Sequence, residues 1–323
     1  MSRLKVVGAG SWGTALAMVL APVFDRVELW GRDAGLVAQM ARRRENQRYL
    51  AGFRLPENVQ PTTELAGEAD FVLNVVPSQH TREVFAGFSW PAGARLVSAS
   101  KGIEKGSLRR VSEVLTEVTG QPVAVLSGPS FAKEVASGEP AAMVVASSDA
   151  SLAAAAQEAF STPTFRLYTS GDPLGVELGA SLKNVIAIAA GVVQGLGLGS
   201  NTRAALIARG LAEITRLAVA MGAEARTLSG LAGLGDLVLT CTGDLSRNRR
   251  VGIELAQGKP LTAILKEMGM VAEGVDTTSA ALELAGRYGV EMPIAAQVLR
   301  LLRAEATPGE AIRLLMVRSL KGE

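Results

Sequence analysis

One cysteine, one histidine and almost no net charge set the first limits on this 323-residue chain. Cys241 has no second cysteine to pair with, so no intrachain disulfide forms and a reducing compartment is expected. A lone cysteine and a lone histidine leave no Cys/His cluster for a metal, so no metal site is expected. His80 follows the strand-end turn Pro77-Ser78-Gln79, a poor setting for an acid–base histidine. The formal net charge of +2 lacks the basic bias of a nucleic-acid binder. No apolar run is long enough to span a bilayer; the longest is Val185 to Val193. The opening MSRLKVVGAG goes almost directly into a strand pattern, so no signal peptide is expected. Internal repeats and low-complexity tracts are missing too. A soluble, cytoplasmic protein is the expectation.

What is present argues for a well-packed fold. Apolar residues make up 48% of the chain and charged ones 20%, which excludes a disordered protein. The length suffices for two domains with proper cores. Leu4 to Gly8 is a short apolar run that meets Gly8-Ala9-Gly10-Ser11-Trp12-Gly13, and Thr14 to Leu20 reads as a helix. Strand, G-x-G-x-x-G, helix is the dinucleotide-binding turn. Its first Gly permits the tight turn, the second lets backbone approach a pyrophosphate, and the third lets helix pack on strand. The helix start then offers unpaired N–H groups to the phosphates.

A second strand, Val27 to Trp30, ends in Gly31-Arg32-Asp33. A carboxylate at that tip suits the ribose 2′-OH of NAD, and an Arg suits the 2′-phosphate of NADP. Arg32 leans toward NADP, Asp33 keeps NAD open, and both also fit solvated loop charges. Ala38 to Tyr49 reads as a helix whose Arg42, Arg43, Arg44 and Arg48 form a solvated face. Further strands follow at Phe71–Val76, Arg95–Ala99, Val123–Leu126, Ala142–Ala146 and Phe165–Tyr168, with Ser130 as N-cap of the helix after Gly128-Pro129. The alternation predicts an α/β domain with a mostly parallel sheet over residues 1–174, covered on both faces. Gly8–Gly13, Arg32, Ser78, Lys101 and Gly128–Ser130 fall at strand carboxyl ends, where such sheets bind ligands.

Strand patterning stops there, and residues 175–323 read as an all-helical domain. Glu177 to Gly191, ELGASLKNVIAIAAG, is apolar all round and predicts a buried helix. Lys183 sits inside it. Burial disfavours an ammonium, so such a Lys either trades protons near neutral pH or snorkels to water. Gly195–Gly199 follows a helix rather than a strand, so it is no second nucleotide turn. Asn201 to Met221 reads as a long helix, and Gly230 to Asp236 as a Gly-rich turn. Asp236 stands alone among apolar residues and needs a partner, for which Lys183 is a candidate. Ser246-Arg247-Asn248-Arg249-Arg250 offers Arg forks suited to phosphate oxygens, or a basic surface turn. No aromatics interleave with it, which counts against nucleic acid.

Together these stretches resemble the bacterial NAD(P)-dependent glycerol-3-phosphate dehydrogenases, over essentially the whole chain. The resemblance rests on GAGSWGTALA (Gly8–Ala17), SKGIE (Ser100–Glu104), GPSFAKE (Gly128–Glu134), ELGASLKN (Glu177–Asn184), NTRAALIARGLAE (Asn201–Glu213) and GLGDLVLTC with SRNRR (Gly233–Arg250). It implies a Rossmann-type domain followed by an all-helical one, with the active site between them, NADP or NAD as cofactor, and a homodimer. Lys183 would accept the proton of the substrate C2 hydroxyl. Lys101, Gly128, Ser130, Asp236, Ser246, Arg247 and Asn248 would line the substrate site. Gly8, Gly10, Ser11, Trp12, Gly13, Arg32, Tyr49, Lys101, Ala132, Arg247, Val271 and Glu273 would meet the cofactor. Ser100 departs from the pattern, standing where a Thr is expected before the Lys, and Ala304–Gly309 matches loosely.

The implied reaction reduces dihydroxyacetone phosphate to sn-glycerol 3-phosphate, the backbone of membrane phospholipids. Lys183 would stabilise and protonate the ketone oxygen as hydride arrives. Lys101 would lower the Lys183 pKa by like-charge repulsion, and Asp236 would oppose that. A two-domain dehydrogenase for a 3-hydroxy acid or a ketopantoate-like acid is an alternative, as is a nucleotide sensor without turnover. The phosphate-suited SRNRR cluster speaks against the first, and Lys183 with Asp236 against the second.

Overall fold

The structure is a computed structural model that describes residues 2–87, 91 and 93–317. It forms two compact units, Met1–Lys101 with Arg110–Val176, and Gly102–Arg109 with Glu177–Glu323. The excursion of 102–109 into the second unit has no marker in the sequence pattern.

Among the described residues the first unit holds ten strands: β1 (Arg3–Val7), β2 (Arg26–Trp30), β3 (Glu45–Asn46), β4 (Leu50–Arg54), β5 (Val59–Thr62), β6 (Phe71–Asn74), β7 (Arg95–Ser98), β8 (Val123–Ser127), β9 (Ala141–Ala146) and β10 (Phe165–Ser170). Eight form one sheet in the order β10-β9-β8-β7-β6-β1-β2-β5. Every pairing in it is parallel except β8 with β9. Strands β6 and β8 are buried at every residue, as a sheet covered on both faces requires. One face packs Leu4, Val6, Leu29, Phe71 and Leu73 with Phe24 and Phe160; the other packs Val7, Val72, Leu96 and Val123 with Phe85 and Leu115. The chain leaves β1 toward β2 on one side and returns at β6 on the other. That reversal opens the crevice where α/β sheets bind ligands, at the C-terminal end of β1.

The structure corrects the helix read over Ala38–Tyr49. The helix is Ala34–Arg43, ended by Arg44 in the left-handed region at φ 54°. The chain then forms the β3–β4 hairpin, whose turn carries Tyr49. Tertiary contacts override helix propensity here: the Asn46 carboxamide bonds the backbone at Ala9, and Leu50 is buried in the core. Ser130 is not an N-cap. Its hydroxyl donates to the Gly128 carbonyl at 3.0 Å, and the next helix, Ala132–Ala136, starts from Phe131.

The second unit is helical: Pro173–Gly195, which begins just before the unit boundary, then Ser200–Ala220, Ala225–Leu228, Asp236–Thr242, Arg247–Ala256, Leu261–Met268, Glu273–Arg287, Pro293–Leu302 and Pro308–Met316. Residues 230–236, read as a turn, contain a π-helical stretch, Leu231–Gly235, that runs straight into Asp236. Pro173–Gly195 is long and apolar enough to cross a membrane, contrary to the limit set by its longest apolar run. However, 94% of its apolar window is buried inside the protein, which marks a core helix. It crosses Arg247–Ala256 closely: a Cβ on Gly191 would lie 2.0 Å from the Arg249 carbonyl oxygen, and one on Gly252 1.9 Å from that of Ile188. Only glycines permit this approach, which brings Asn248 against Asn184.

Candidate active site

In the first unit, β1 delivers the chain to Gly8 at φ 124°, where a Cβ would sit 2.8 Å from the Val75 carbonyl just after β6. A Cβ on Gly13 would lie 1.8 Å from the Gly8 carbonyl oxygen. These two glycines fold the turn tightly. Gly10 differs: nothing lies within 4 Å of where its Cβ would be, so this side is open to an approaching ligand. The helix Ser11–Leu20 begins immediately after Gly10 with no side-chain cap, leaving its first N–H groups for an anion. Trp12 adds a buried indole N–H without a partner among the described residues, a donor that a ligand oxygen would satisfy. The turn therefore fits a dinucleotide pyrophosphate.

At the tip of β2, Arg32 is exposed, with no ion-pair partner among the described residues. Asp33 is engaged twice: it caps the helix Ala34–Arg43 through the Leu36 N–H at 3.1 Å and pairs with Arg48 at 3.3 Å. Lys101, just beyond β7, and Ser130, beyond β8, converge on the Gly128 carbonyl at 3.4 and 3.0 Å. Ala132 lies partly buried against the core. His80 is exposed at the end of a short 3-10 turn.

The second unit gathers the other candidates. Lys183 is 5% exposed and Asp236 1%, and they form an ion pair. Lys183 Nζ also donates to Thr240 Oγ1 at 2.9 Å, and that hydroxyl donates to the Asp236 carbonyl at 2.6 Å. Thr240 lies four residues after Asp236 on one helix, so both face Lys183. The carboxylate favours the charged ammonium, against burial, while the hydroxyl fixes where Nζ points. Next door, burial pushes the Cys241 thiol up to about 12, with Lys183 and Arg249 pulling the other way.

Asn184 accepts a hydrogen bond from Asn248 Nδ2 at 3.0 Å, and Asn248 Oδ1 accepts from the Gly274 N–H at 3.0 Å. The chain from Asp236 through Lys183, Asn184 and Asn248 to Glu273-Gly274 is thus continuous. Ser246 caps its helix through the Arg249 N–H at 3.2 Å. The three arginines of the SRNRR run separate. Arg249 is buried and bonds Gln194, the Gly243 carbonyl and Asp244, so it is structural. Arg250 pairs with Glu254 on the helix surface. Arg247 remains exposed. Desolvation lowers its guanidinium's pKa, and Glu273 offsets only part of this; an arginine remains a cation at neutral pH all the same. Val271, two residues before Glu273, is 43% exposed. Sequence reasoning did not single out Thr240 or Asn46, whose bonds are set by tertiary packing.

A phosphate-cradling turn at the sheet's switch point, and a buried amine held by a carboxylate and a hydroxyl, are the equipment of a dinucleotide-dependent oxidoreductase. The comparisons specify which. Residues 3–153 match the model of the NAD-dependent glycerol-3-phosphate dehydrogenase N-terminus, and residues 172–313 that of its C-terminus. A glycerol-3-phosphate dehydrogenase [NAD(P)+] of Citrifermentans bemidjiense is 53% identical over 99% of this chain and 98% of its own. The crystal structure of glycerol-3-phosphate dehydrogenase from Coxiella burnetii superposes with a TM-score of 0.94 at 41% identity, covering 98% of this chain and 99% of that one. The yeast enzyme's structure gives 0.82 at 26% identity, over 97% and 99%. The chain belongs to the NAD-dependent glycerol-3-phosphate dehydrogenase family. It is an NAD(P)-linked oxidoreductase.

Proposed function

We propose that Lys183 carries the proton transfer in the NAD(P)-dependent interconversion of dihydroxyacetone phosphate and sn-glycerol 3-phosphate. The observation that carries this reading is the buried amine bound to Asp236 and Thr240. The first unit holds the cofactor and the second the substrate. Bound nicotinamide supplies the hydride chemistry. As negative charge develops on the ketone oxygen, the Lys183 ammonium stabilises it and then gives up a proton. In the reverse direction the neutral amine takes the C2 hydroxyl proton, and Asp236 holds the ammonium that results. Thr240 keeps Nζ on one line throughout.

Arg247, the cation of its run that forms no ion pair among the described residues, anchors the substrate phosphate, helped by the amide hydrogen of Asn248 that its bond to Asn184 leaves over. Ser246 shapes the start of that helix. Lys101, Gly128 and Ser130 are the first unit's residues for the substrate. Gly8, Gly10, Ser11, Trp12, Gly13, Arg32, Tyr49 and Ala132 serve the dinucleotide, with Lys101, Arg247, Val271 and Glu273. Arg32 favours NADPH, because the neighbouring carboxylate is already committed to its cap and to Arg48. The enzyme works as a homodimer in the cytoplasm and supplies the glycerol phosphate of phospholipids.

The test is oxidation of NADPH and, separately, NADH by dihydroxyacetone phosphate, read as loss of reduced-nicotinamide absorbance. Activity that disappears when dihydroxyacetone replaces its phosphate supports both the reduction and the anchor at Arg247. Equal turnover of the two ketones would remove the anchor, and no turnover with both cofactors bound would remove Lys183 from its role. Sedimentation equilibrium at twice the chain mass supports the dimer.

A further inference from the structure

Asn46 is 0% exposed, and both ends of its carboxamide are used. Nδ2 donates to the Ala9 carbonyl at 2.9 Å and to Thr14 Oγ1 at 2.8 Å. Thr14 Oγ1 passes the chain on by donating to the Gly10 carbonyl at 2.8 Å. On its other side, Asn46 Oδ1 accepts from the Tyr49 N–H at 3.2 Å. Ala9 and Thr14 bracket Gly10–Gly13, the stretch whose open side faces the ligand. One buried amide therefore ties together two segments, the glycine turn and the turn that carries Tyr49.

We infer that Asn46 is a positioning residue for the dinucleotide, which it serves by locking the Ala9–Thr14 turn and the Tyr49 turn in one fixed register. This rests on the reading of Gly8–Gly13 as the cofactor turn. The chemistry requires an amide. The Ala9 carbonyl and the Thr14 hydroxyl, whose own hydrogen is spent on Gly10, both need a donor; the Tyr49 N–H needs an acceptor. An Asp in this place would keep the acceptor and turn an anion toward the Ala9 carbonyl. An Ala would take this partner from the Ala9 carbonyl and the Tyr49 N–H and leave the Thr14 hydroxyl with its bond to Gly10 alone. The bonds carry little when the cofactor is absent beyond ordinary stability; their specific effect is that the turn's N–H groups are already aimed when phosphate arrives.

The same protein contains a built-in control. Asn58 uses its Nδ2 in the same way, donating to the Ala21 and Phe24 carbonyls at 2.8 Å each, just past the opposite end of the helix Ser11–Leu20. It touches neither cofactor segment in this reading. Asn46→Ala, Asn46→Asp and Asn58→Ala are compared in the full-length enzyme. The measurements are NADPH binding by fluorescence titration, KM for NADPH, KM for dihydroxyacetone phosphate, and kcat at saturating NADPH. Both Asn46 variants are expected to raise the Kd and KM for NADPH by at least about tenfold, the scale of one lost buried hydrogen bond. Their kcat and their KM for the ketone should stay within about twofold of the parent. Asn58→Ala should lose thermal stability and keep its KM for NADPH. Thr14→Val, nearly the same shape, removes one link only and should give a smaller rise, so it decides the matter if Asn46→Ala does not fold. An unchanged KM for NADPH in both Asn46→Asp and Thr14→Val, or an equal rise in Asn58→Ala, overturns the inference. A parent enzyme that binds no NADPH overturns the cofactor turn itself, a different outcome from intact parent binding with indifferent variants.

Discussion

Replacing Asp236 by Asn tests the electrostatics of the buried amine at constant volume. Asp236 and Lys183 are 1% and 5% exposed, so the amine would lose this carboxylate with almost no water to replace it. Removing one partner of a buried pair costs about 3–5 kcal/mol. Lys183 has one escape, which is to lose its proton. From a reference pKa of about 10.4, that costs about 1.4 kcal/mol for each pH unit below it, or roughly 4 kcal/mol at pH 7.5 and about 1.2 at pH 9.5. The smaller of the two costs applies at each pH. Asp236 also lies in the first turn of its helix, and losing that carboxylate adds about 0.3–1 kcal/mol at every pH. The sign follows from proton counts. In the variant the folded Lys183 binds fewer protons than the unfolded one, so stability rises with pH relative to the parent up to about pH 10.4. The expected deficit is therefore about 5 kcal/mol at pH 7 and about 2 at pH 9.5. Urea unfolding at four pH values reads it. Far-UV circular dichroism is weighted to the helical second unit, while Trp12 and Trp30 lie in the first unit and report on it. The loss should appear in the dichroism transition. A deficit below about 0.5 kcal/mol, or one that is flat from pH 7 to 9.5, refutes the reasoning, as does a Lys183→Met/Asp236→Asn double variant no more stable than Asp236→Asn alone.

Lys183→Ala is expected to lower kcat by at least about a hundredfold, the usual scale for a lost acid–base group, with NADPH affinity retained in a binding titration. Arg247→Ala should raise KM for dihydroxyacetone phosphate by tenfold or more, about 1.4 kcal/mol for a charge-assisted contact, and unchanged KM would exclude the anchor. Native Cys241, raised to about 12 and wholly buried, should resist a thiol reagent at pH 8 and react promptly in urea. Its folded pKa lies above the unfolded one. Its contribution is thus fully present below about pH 9 and fades as pH rises through 12, so Cys241→Ala should lose less stability than the parent over that range, by at most about 4 kcal/mol.

The sequence by itself determined the parts that are local. Gly8, Gly10 and Gly13 declare a turn because only glycine tolerates a φ of 124° at Gly8 and a 1.8 Å approach at Gly13. Fifteen residues that are apolar all round declare a buried helix, and with it the unusual position of Lys183. Alternating strands and helices, followed by helices alone, declare the α/β and helical halves. Isolation among apolar neighbours pointed Asp236 toward Lys183, and the structure pairs them. Tertiary structure alone decided what spans distance in the chain. Thr240 reaches Lys183 across 57 residues, Asn248 reaches Asn184 across 64, and Asn46 reaches Ala9 across 37. None leaves a periodic trace, because a hydrogen bond between distant segments needs one correct side chain rather than a repeated pattern. The same cause divides the three arginines of one short run: packing against Gln194 and Gly243 buries Arg249, Glu254 takes Arg250, and Arg247 makes no ion pair among the described residues. Composition supplies the charges; burial and pairing, fixed only when the helices cross at Gly191 and Gly252, decide which of them remains available.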